Sequence, residues 1–270
     1  MKIKKIALVL IGIVLIVGIT GCGKKQAHTI TIGASATPHG EILQEAKKIL
    51  KKQGWDLKIT TFDDYNQPNL VVDSGEFDAN YFQHQPYLDD FNQKHHTELV
   101  GIAKIHYEPF GLYPGTCKTL DGLKKGDVIG IPNDSTNEAR ALELLAANGI
   151  LTIKKGRGLE ATIRDIEKNP YEIEIKELEA AQLPRVREEM AMVVMNGNYA
   201  LQASLTVEKD SIAYEKTDTD AADTFANIIA VKKGNEKKEG IVKLAEVLRG
   251  KEIQKFIQEK YQGAVVFYRP

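Results

Sequence analysis

The sequence predicts an α/β protein of two lobes joined by two strand crossings. From residue 29 onward, short apolar runs of strand length alternate with segments of helical period. No Pro/Gly/Ser-rich linker and no internal repeat divides the chain into independent beads. A composition of 43% hydrophobic and 27% charged residues over 270 positions is enough for a self-sufficient core. The 36 Lys and Arg nearly balance the 37 Asp and Glu, so no basic excess advertises nucleic acid. Two cysteines cannot build a disulfide framework.

The first segment has a separate purpose. Lys2, Lys4 and Lys5 precede an uncharged run over residues 6–20, short for a membrane span, and the run ends in Ile19-Thr20-Gly21-Cys22. Small residues before that cysteine resemble the lipobox of bacterial lipoproteins. Residues 1–21 are therefore expected to be a signal peptide, Cys22 the lipidated (diacylated, palmitate-bearing) N-terminus, and residues 22–28 a tether. Loss of three lysines and no acid leaves the mature chain with 33 basic against 37 acidic residues. Cys117 is then an unpaired thiol.

In the first lobe (residues 29–112, returning as 225–270) the alternation of 29–35 predicts a strand. Ile42, Leu43, Ala46, Ile49 and Leu50 predict a helix capped at Thr37-Pro38 and closed by Gly54. A strand at 56–62, a short helix at 69–74, a strand at 77–81 and a helix at 86–94 follow. Residues 99–113 read as an extended segment, interrupted by Pro109, that leaves one sheet for another. The second lobe (113–224) is expected to contain strands at 128–132, 172–178 and 191–195 and helices at 136–147 and 186–190. Residues 225–232 carry the chain back, and 240–260 form one amphipathic helix.

Three segments carry candidate chemistry. Eight of the 19 aromatic residues lie between 55 and 91. Of these, Phe62, Phe77, Tyr87 and Phe91 read as core. Tyr65, Tyr81 and Phe82, with His84, fall on predicted loops past the carboxyl ends of strands, where open α/β sheets bind ligands. Residues 133–140 (Asn-Asp-Ser-Thr-Asn-Glu-Ala-Arg) open a helix whose first N–H groups form an anion site. Arg140 near that positive helix end calls for a negative partner, either a ligand carboxylate or an acid of the chain such as Glu138 or Glu143. Asn196 ends an apolar strand and Asn227 opens another, where a buried amide needs partners.

These residues sit in longer motifs: Asp64-Tyr65-Asn66-Gln67-Pro68-Asn69, the eleven residues from Asp78 to Leu88, Ile131-Pro132-Asn133-Asp134 with Thr136-Asn137-Glu138 and Arg140, residues 179–185, Asn196-Gly197-Asn198-Tyr199-Ala200, and Ala226-Asn227-Ile228-Ile229. Over the whole mature chain the sequence resembles the methionine-binding lipoproteins, the substrate-binding subunits of methionine-uptake ABC transporters. The resemblance implies a two-lobed, type II periplasmic-binding-protein fold with a central cleft. It implies a bound methionine or close derivative, an ABC permease with its cytoplasmic ATPase as partners, and a lipid-anchored place on the extracytoplasmic face of a bacterial membrane. It implies no cofactor, no metal and no catalysis. It puts Tyr65, Phe82 and His84 around the side chain, Arg140 on the α-carboxylate, and Asn196 and Asn227 on the polar backbone of the ligand, with Tyr81, Asn137 and Asn198 as neighbours. Ala139 and Phe225 depart from the family pattern, which favours glycine and tyrosine there.

Two other classes compete. A zinc-binding lipoprotein is suggested by His39, His84, His95, His96 and His106, although no ligand spacing such as H-x3-H occurs. A lipid-anchored hydrolase would need a nucleophile at Ser135 or Cys117, yet Ser135 reads as a cap residue and no G-x-S-x-G, H-E-x-x-H, P-loop or C-x-x-C motif is present.

Overall fold

Ile30, Ile32 and Ala34 are buried along the first strand, and Ile42, Leu43, Ala46 and Leu50 make one apolar stripe on the helix after it. These two stripes nucleate the first of two cores. The computed structural model describes residues 28–216 and 219–269, so the expected signal peptide, Cys22 and most of its tether lie outside the described residues. The chain runs β1 (His28–Ser35), α1 (Glu41–Lys52), β2 (Trp55–Phe62), α2 (Gln67–Asp73), β3 (Ala79–His84), α3 (Gln85–His95) and β4 (Leu99–Tyr107). It then crosses to β5 (Gly111–Pro114), β6 (Val128–Pro132), α4 (Ser135–Ala147), β7 (Thr152–Ile153), β8 (Ile166–Lys168), β9 (Glu174–Leu178), α5 (Leu183–Val186), β10 (Met192–Met195), α6 (Gly197–Gln202), α7 (Val207–Asp210) and β11 (Ala213–Tyr214). The return is made by α8 (Thr219–Phe225), β12 (Asn227–Lys232), α9 (Glu239–Leu248), α10 (Lys251–Tyr261) and β13 (Val266–Phe267).

The first sheet has the order β13-β4-β12-β3-β1-β2, with β2, β1 and β3 parallel and β12 antiparallel to both β3 and β4. The second has the order β11-β5-β10-β6-β9, in which β10, β6 and β9 are parallel. Each sheet has its own apolar cluster, built with α1, α9 and α10 in the first and with α4 in the second. The architecture is α/β and two-lobed. The carboxyl ends of β2, β3, β4, β6 and β10 and the start of β12 all lead to residues that line one cavity, as expected for ligand sites in open α/β sheets.

Several boundaries differ from the sequence expectation. The crossing falls at residues 108–110, since β5 lies wholly in the second sheet. The expected strand at 77–81 is β3, whose six residues are all buried, so Tyr81, Phe82 and His84 are strand residues rather than loop residues. The buried amides of Gln83 and Asn80 are satisfied internally. Asn69 Nδ2 donates to Gln83 Oε1 (2.9 Å), Gln83 Nε2 to Asn69 Oδ1 (2.6 Å), and Asn80 Nδ2 to the Pro68 carbonyl (3.0 Å). Thr37 is extended and caps nothing; α1 starts at Glu41. The helix expected at 240–260 breaks at Gly250, whose extended backbone (ψ 159°) starts α10 on a new axis. The short strands β7, β8, β11 and β13 have too few residues to show a period. Among the described residues no helix is long and apolar enough to cross a membrane.

Candidate ligand-binding site

A cavity lies between the two sheets. Tyr65, Phe82, Gln83, His84, Tyr87 and Asn227 form the wall on the first-sheet side, and Asn137, Arg140, Asn196, Gly197 and Asn198 the wall on the other. Glu108, at the crossing, closes the floor. All six residues expected to touch ligand, and the neighbours Asn137 and Asn198, come together here. Tyr81 does not line the cavity: its fully buried hydroxyl turns to His106 Nδ1.

The apolar end is an aromatic cage. Tyr65 lies with ring centroids 5.7 Å from Phe82, 5.7 Å from Tyr87 and 5.0 Å from Tyr199. His84 ends β3 and caps α3, its Nδ1 accepting from the Tyr87 N–H (3.2 Å). That bond puts the proton on Nε2, which donates to Asn137 Oδ1 (3.3 Å). Burial, with Arg140 nearby, lowers the His84 pKa to about 3, so the ring is neutral.

The polar end is set by α4. Its N-terminus is not the open anion site expected from the sequence. The Asp134 carboxylate occupies it, accepting from the backbone N–H of Asn137 (3.0 Å) and from its side-chain amide (2.9 and 3.0 Å). Thus oriented, Asn137 Oδ1 accepts from Asn196 Nδ2 (3.0 Å) as well as His84. Arg140 finds its acid neither in Glu138, which accepts from the Ile163 N–H (3.0 Å), nor in Glu143. The partner is Glu215, 75 positions later, bound by two 2.6 Å bonds from Nε and Nη2. The guanidinium carbon lies 4.1 Å from the centroid of Phe225 and 4.6 Å from that of Phe110. Asn196 Oδ1 and Asn198 Nδ2 are buried and unpartnered. Donors and acceptors thus stand ready for a guest with both signs of charge.

Tyr81, His106, Glu108, His39 and Asn227 form a buried relay below the cavity. His106 Nε2 donates to Glu108 Oε1 (2.7 Å), and His39 Nε2 lies 3.5 Å from the same oxygen while donating to Asn227 Oδ1 (2.8 Å). The ligand atoms of His39, His106 and Glu108 lie within 4.8 Å of one another, a cluster that linear spacing did not reveal. His84 is not part of it, and His95 and His96 end α3 on the surface. Sequence reasoning also missed Glu108 and Gly197; an acid directly before Pro109 in an apolar segment was the available signal for the first. The two nucleophile candidates lie elsewhere. Ser135 accepts from Lys94 Nζ (2.6 Å), an ammonium also paired with Asp90 (2.9 Å), and the half-buried Cys117 thiol donates to the Thr119 carbonyl (3.2 Å).

Both walls bond directly across the cavity mouth. The Tyr65 hydroxyl donates to Asn198 Oδ1 (2.6 Å) and the Tyr199 hydroxyl to the Asp63 carbonyl (2.8 Å). The cleft is closed.

The chain is 60% identical to a lipoprotein of known structure from Ruminococcus gnavus ATCC 29149, covering 90% of this chain and all of that one with a TM-score of 0.88. A nutrient binding protein from Burkholderia cenocepacia bound to methionine is 38% identical, with a TM-score of 0.84 over 89% of this chain and all of that one. The methionine-binding lipoprotein MetQ of Bacillus subtilis (strain 168) is 41% identical over 249 residues, 90% of this chain and 88% of that protein. Residues 30–268 match the NlpA lipoprotein family, and this chain belongs to it.

Proposed function

We propose that this protein is a lipid-anchored extracytoplasmic receptor that captures L-methionine between its lobes and delivers it to an ABC permease for import. The observation that carries the reading is the closed cavity, in which an aromatic cage at one end faces unpartnered polar groups at the other. Its similarity to proteins named for methionine supports the same ligand. Arg140 takes the α-carboxylate, and Asn196, Asn198 and Asn227 bind the rest of the polar head. Tyr65, Phe82 and His84 surround the thioether, each aromatic contact adding roughly 0.3–1.5 kcal/mol. The first lobe comprises residues 29–112 and 225–270 and the second 113–224, adjusted by the few residues through which β5 joins the second sheet. Cys22 carries the lipid, and the lipobox-like Ile19-Thr20-Gly21 supports cleavage before it.

The test is thermal unfolding of protein stripped of copurified ligand by unfolding and refolding. L-Methionine at about 1,000 times Kd adds about 4 kcal/mol, or roughly 8–16 °C for a chain of this size. No shift with L-methionine, D-methionine or a methionine dipeptide rejects the reading. Cys22→Ala releases the protein from cells if the anchor is correct; retention at the membrane rejects it.

A further inference from the structure

We propose that Glu108 is the acceptor for the ligand's α-ammonium group, so that capture demands a free amine. The inference rests on the amino-acid reading above and deepens it. Glu108 is 6% exposed, yet it lines the cavity. Its Oε1 is occupied by the His106 N–H and faced by that of His39, whose proton is fixed on Nε2 because Asn227 Oδ1 can only accept. Because His106 presents its own Nε2–H to the carboxylate, its Nδ1 accepts from the Tyr81 hydroxyl. Every neighbour on this side therefore donates, directly or in relay, toward a carboxylate. The other oxygen, Oε2, lies beside Gly197, where a Cβ would stand 2.9 Å from it and 2.7 Å from Glu108 Cβ. Only a glycine there lets the chain pass this close to the acid without a methyl filling the space beside Oε2.

No side chain among the described residues neutralises that carboxylate. Arg140 commits Nε and Nη2 to Glu215. Burial holds His39 at about 4 and His106 at about 3, so both rings are uncharged. Burial pushes the Glu108 carboxyl up to about 7, and the groups that face it are His39 from the 36–40 turn, His106 from β4, Arg140 from α4 and the Asn198 N–H from α6. An acid buried without a counter-ion favours a cationic guest, and Asn196 Oδ1 is a second unpartnered acceptor in the same cavity. Arg140 Nη2 also donates to the Glu108 backbone oxygen (3.2 Å). Guanidinium and carboxylate therefore share one corner, as the carboxylate and ammonium of an α-amino acid, joined through a single carbon, require.

The experiment is calorimetric titration of the ligand-stripped protein with L-methionine and with its 2-hydroxy analogue, between pH 5.5 and 8. In the wild type, L-methionine binds about tenfold more weakly at pH 6 than at pH 8, because only the ionised tenth of the receptor is competent at the lower pH. The hydroxy analogue binds at least about 30-fold more weakly than methionine at pH 8 and does not tighten as pH rises. Glu108→Gln weakens L-methionine by about 30-fold or more at pH 8 and flattens its pH profile. A Glu108→Gln variant within threefold of wild type that keeps the pH slope overturns the inference. If that variant does not fold by circular dichroism, the two-ligand comparison on wild type decides: equal affinities and a flat methionine profile overturn it. Wild-type protein that fails to bind L-methionine sinks the parent reading instead.

Discussion

Glu215→Ala isolates the value of the Arg140 ion pair. Arg140 is 4% exposed and Glu215 13%, so both charges are largely out of water. Removing the acid strands Nε and Nη2 of the guanidinium, and with them the Tyr107 hydroxyl and the Phe110 N–H, which donate to the same carboxylate at 2.7 and 3.1 Å. Truncating one partner of a buried pair costs about 3–5 kcal/mol, mainly because the surviving charge is uncompensated. For a chain of this size that lowers the melting temperature by roughly 6–20 °C in a calorimetric scan without ligand. The double variant Arg140→Met/Glu215→Leu removes both charges and recovers much of the loss, since apolar replacement of a buried pair is often near neutral. A single variant that melts within about 2 °C of wild type refutes the reasoning, and so does a double variant no more stable than the single one, which would trace the loss to packing or to the stranded Tyr107 and Phe110 groups.

Three further outcomes are expected. Arg140→Ala abolishes methionine binding by calorimetry while Cys117→Ser leaves it unchanged; an arginine variant of wild-type affinity removes the carboxylate assignment. Gly197→Ala drives a methyl into Glu108 and weakens methionine by tenfold or more, as about 1.4 kcal/mol of lost contact requires, and the overpacking also lowers the melting temperature; unchanged affinity shows that Glu108 does not face the ligand. Acid destabilises the fold below pH 6.5. His39, His84 and His106 stay neutral in the folded chain, whereas the unfolded chain binds their protons at about 6.5, so each loses up to about 2 kcal/mol by pH 5. Glu108, raised to about 7, opposes this by taking up its proton early, and Asp134, Glu138 and Glu143, raised by burial, act in the same direction; the three deeply buried histidines set the sign. A melting temperature that rises between pH 6.5 and 5 contradicts that balance.

The site was legible wherever a residue's need was local. Arg140 in the early turns of α4 announced a missing negative charge, and Asn227 in an apolar strand announced a missing hydrogen-bond partner, which proved to be His39. What filled each need was not legible. Glu215 lies 75 positions from Arg140 in a polar stretch with no pattern of its own. His39 and His106 meet at Glu108 only because the turn after β1 and the end of β4 reach the same floor of the cleft. Local polarity also misled. Tyr81, Phe82 and His84 read as loop, yet β3 runs through His84, with Asn80 and Gln83 held by amide bonds to Asn69, which moves Phe82 and His84 from a loop to a strand. The Asp134 cap turned an apparent anion site into a device that orients Asn137.

The division of bonds between the lobes bears on the order of capture. Arg140 and Glu215 both belong to the second lobe, one on α4 and the other just after β11, so opening the cleft does not break their ion pair. Tyr65 to Asn198, Tyr199 to Asp63 and His84 to Asn137 join opposite walls, and each such neutral bond is worth about 0.5–1.5 kcal/mol. Bonds of that size, with Lys94 Nζ to Ser135 Oγ as a further link between the lobes, hold the cleft shut, yet thermal opening can break them. The guanidinium is therefore already held by Glu215 before ligand arrives. Most of the aromatic cage (Tyr65, Phe82, Tyr87) rides on the other lobe. If Arg140 takes the α-carboxylate as proposed, a zwitterion docks on the second lobe first, and its side chain is enclosed only as Tyr65 and Phe82 swing in. Discrimination by the thioether then acts at closure, in the dissociation rate, while the charged head governs the encounter.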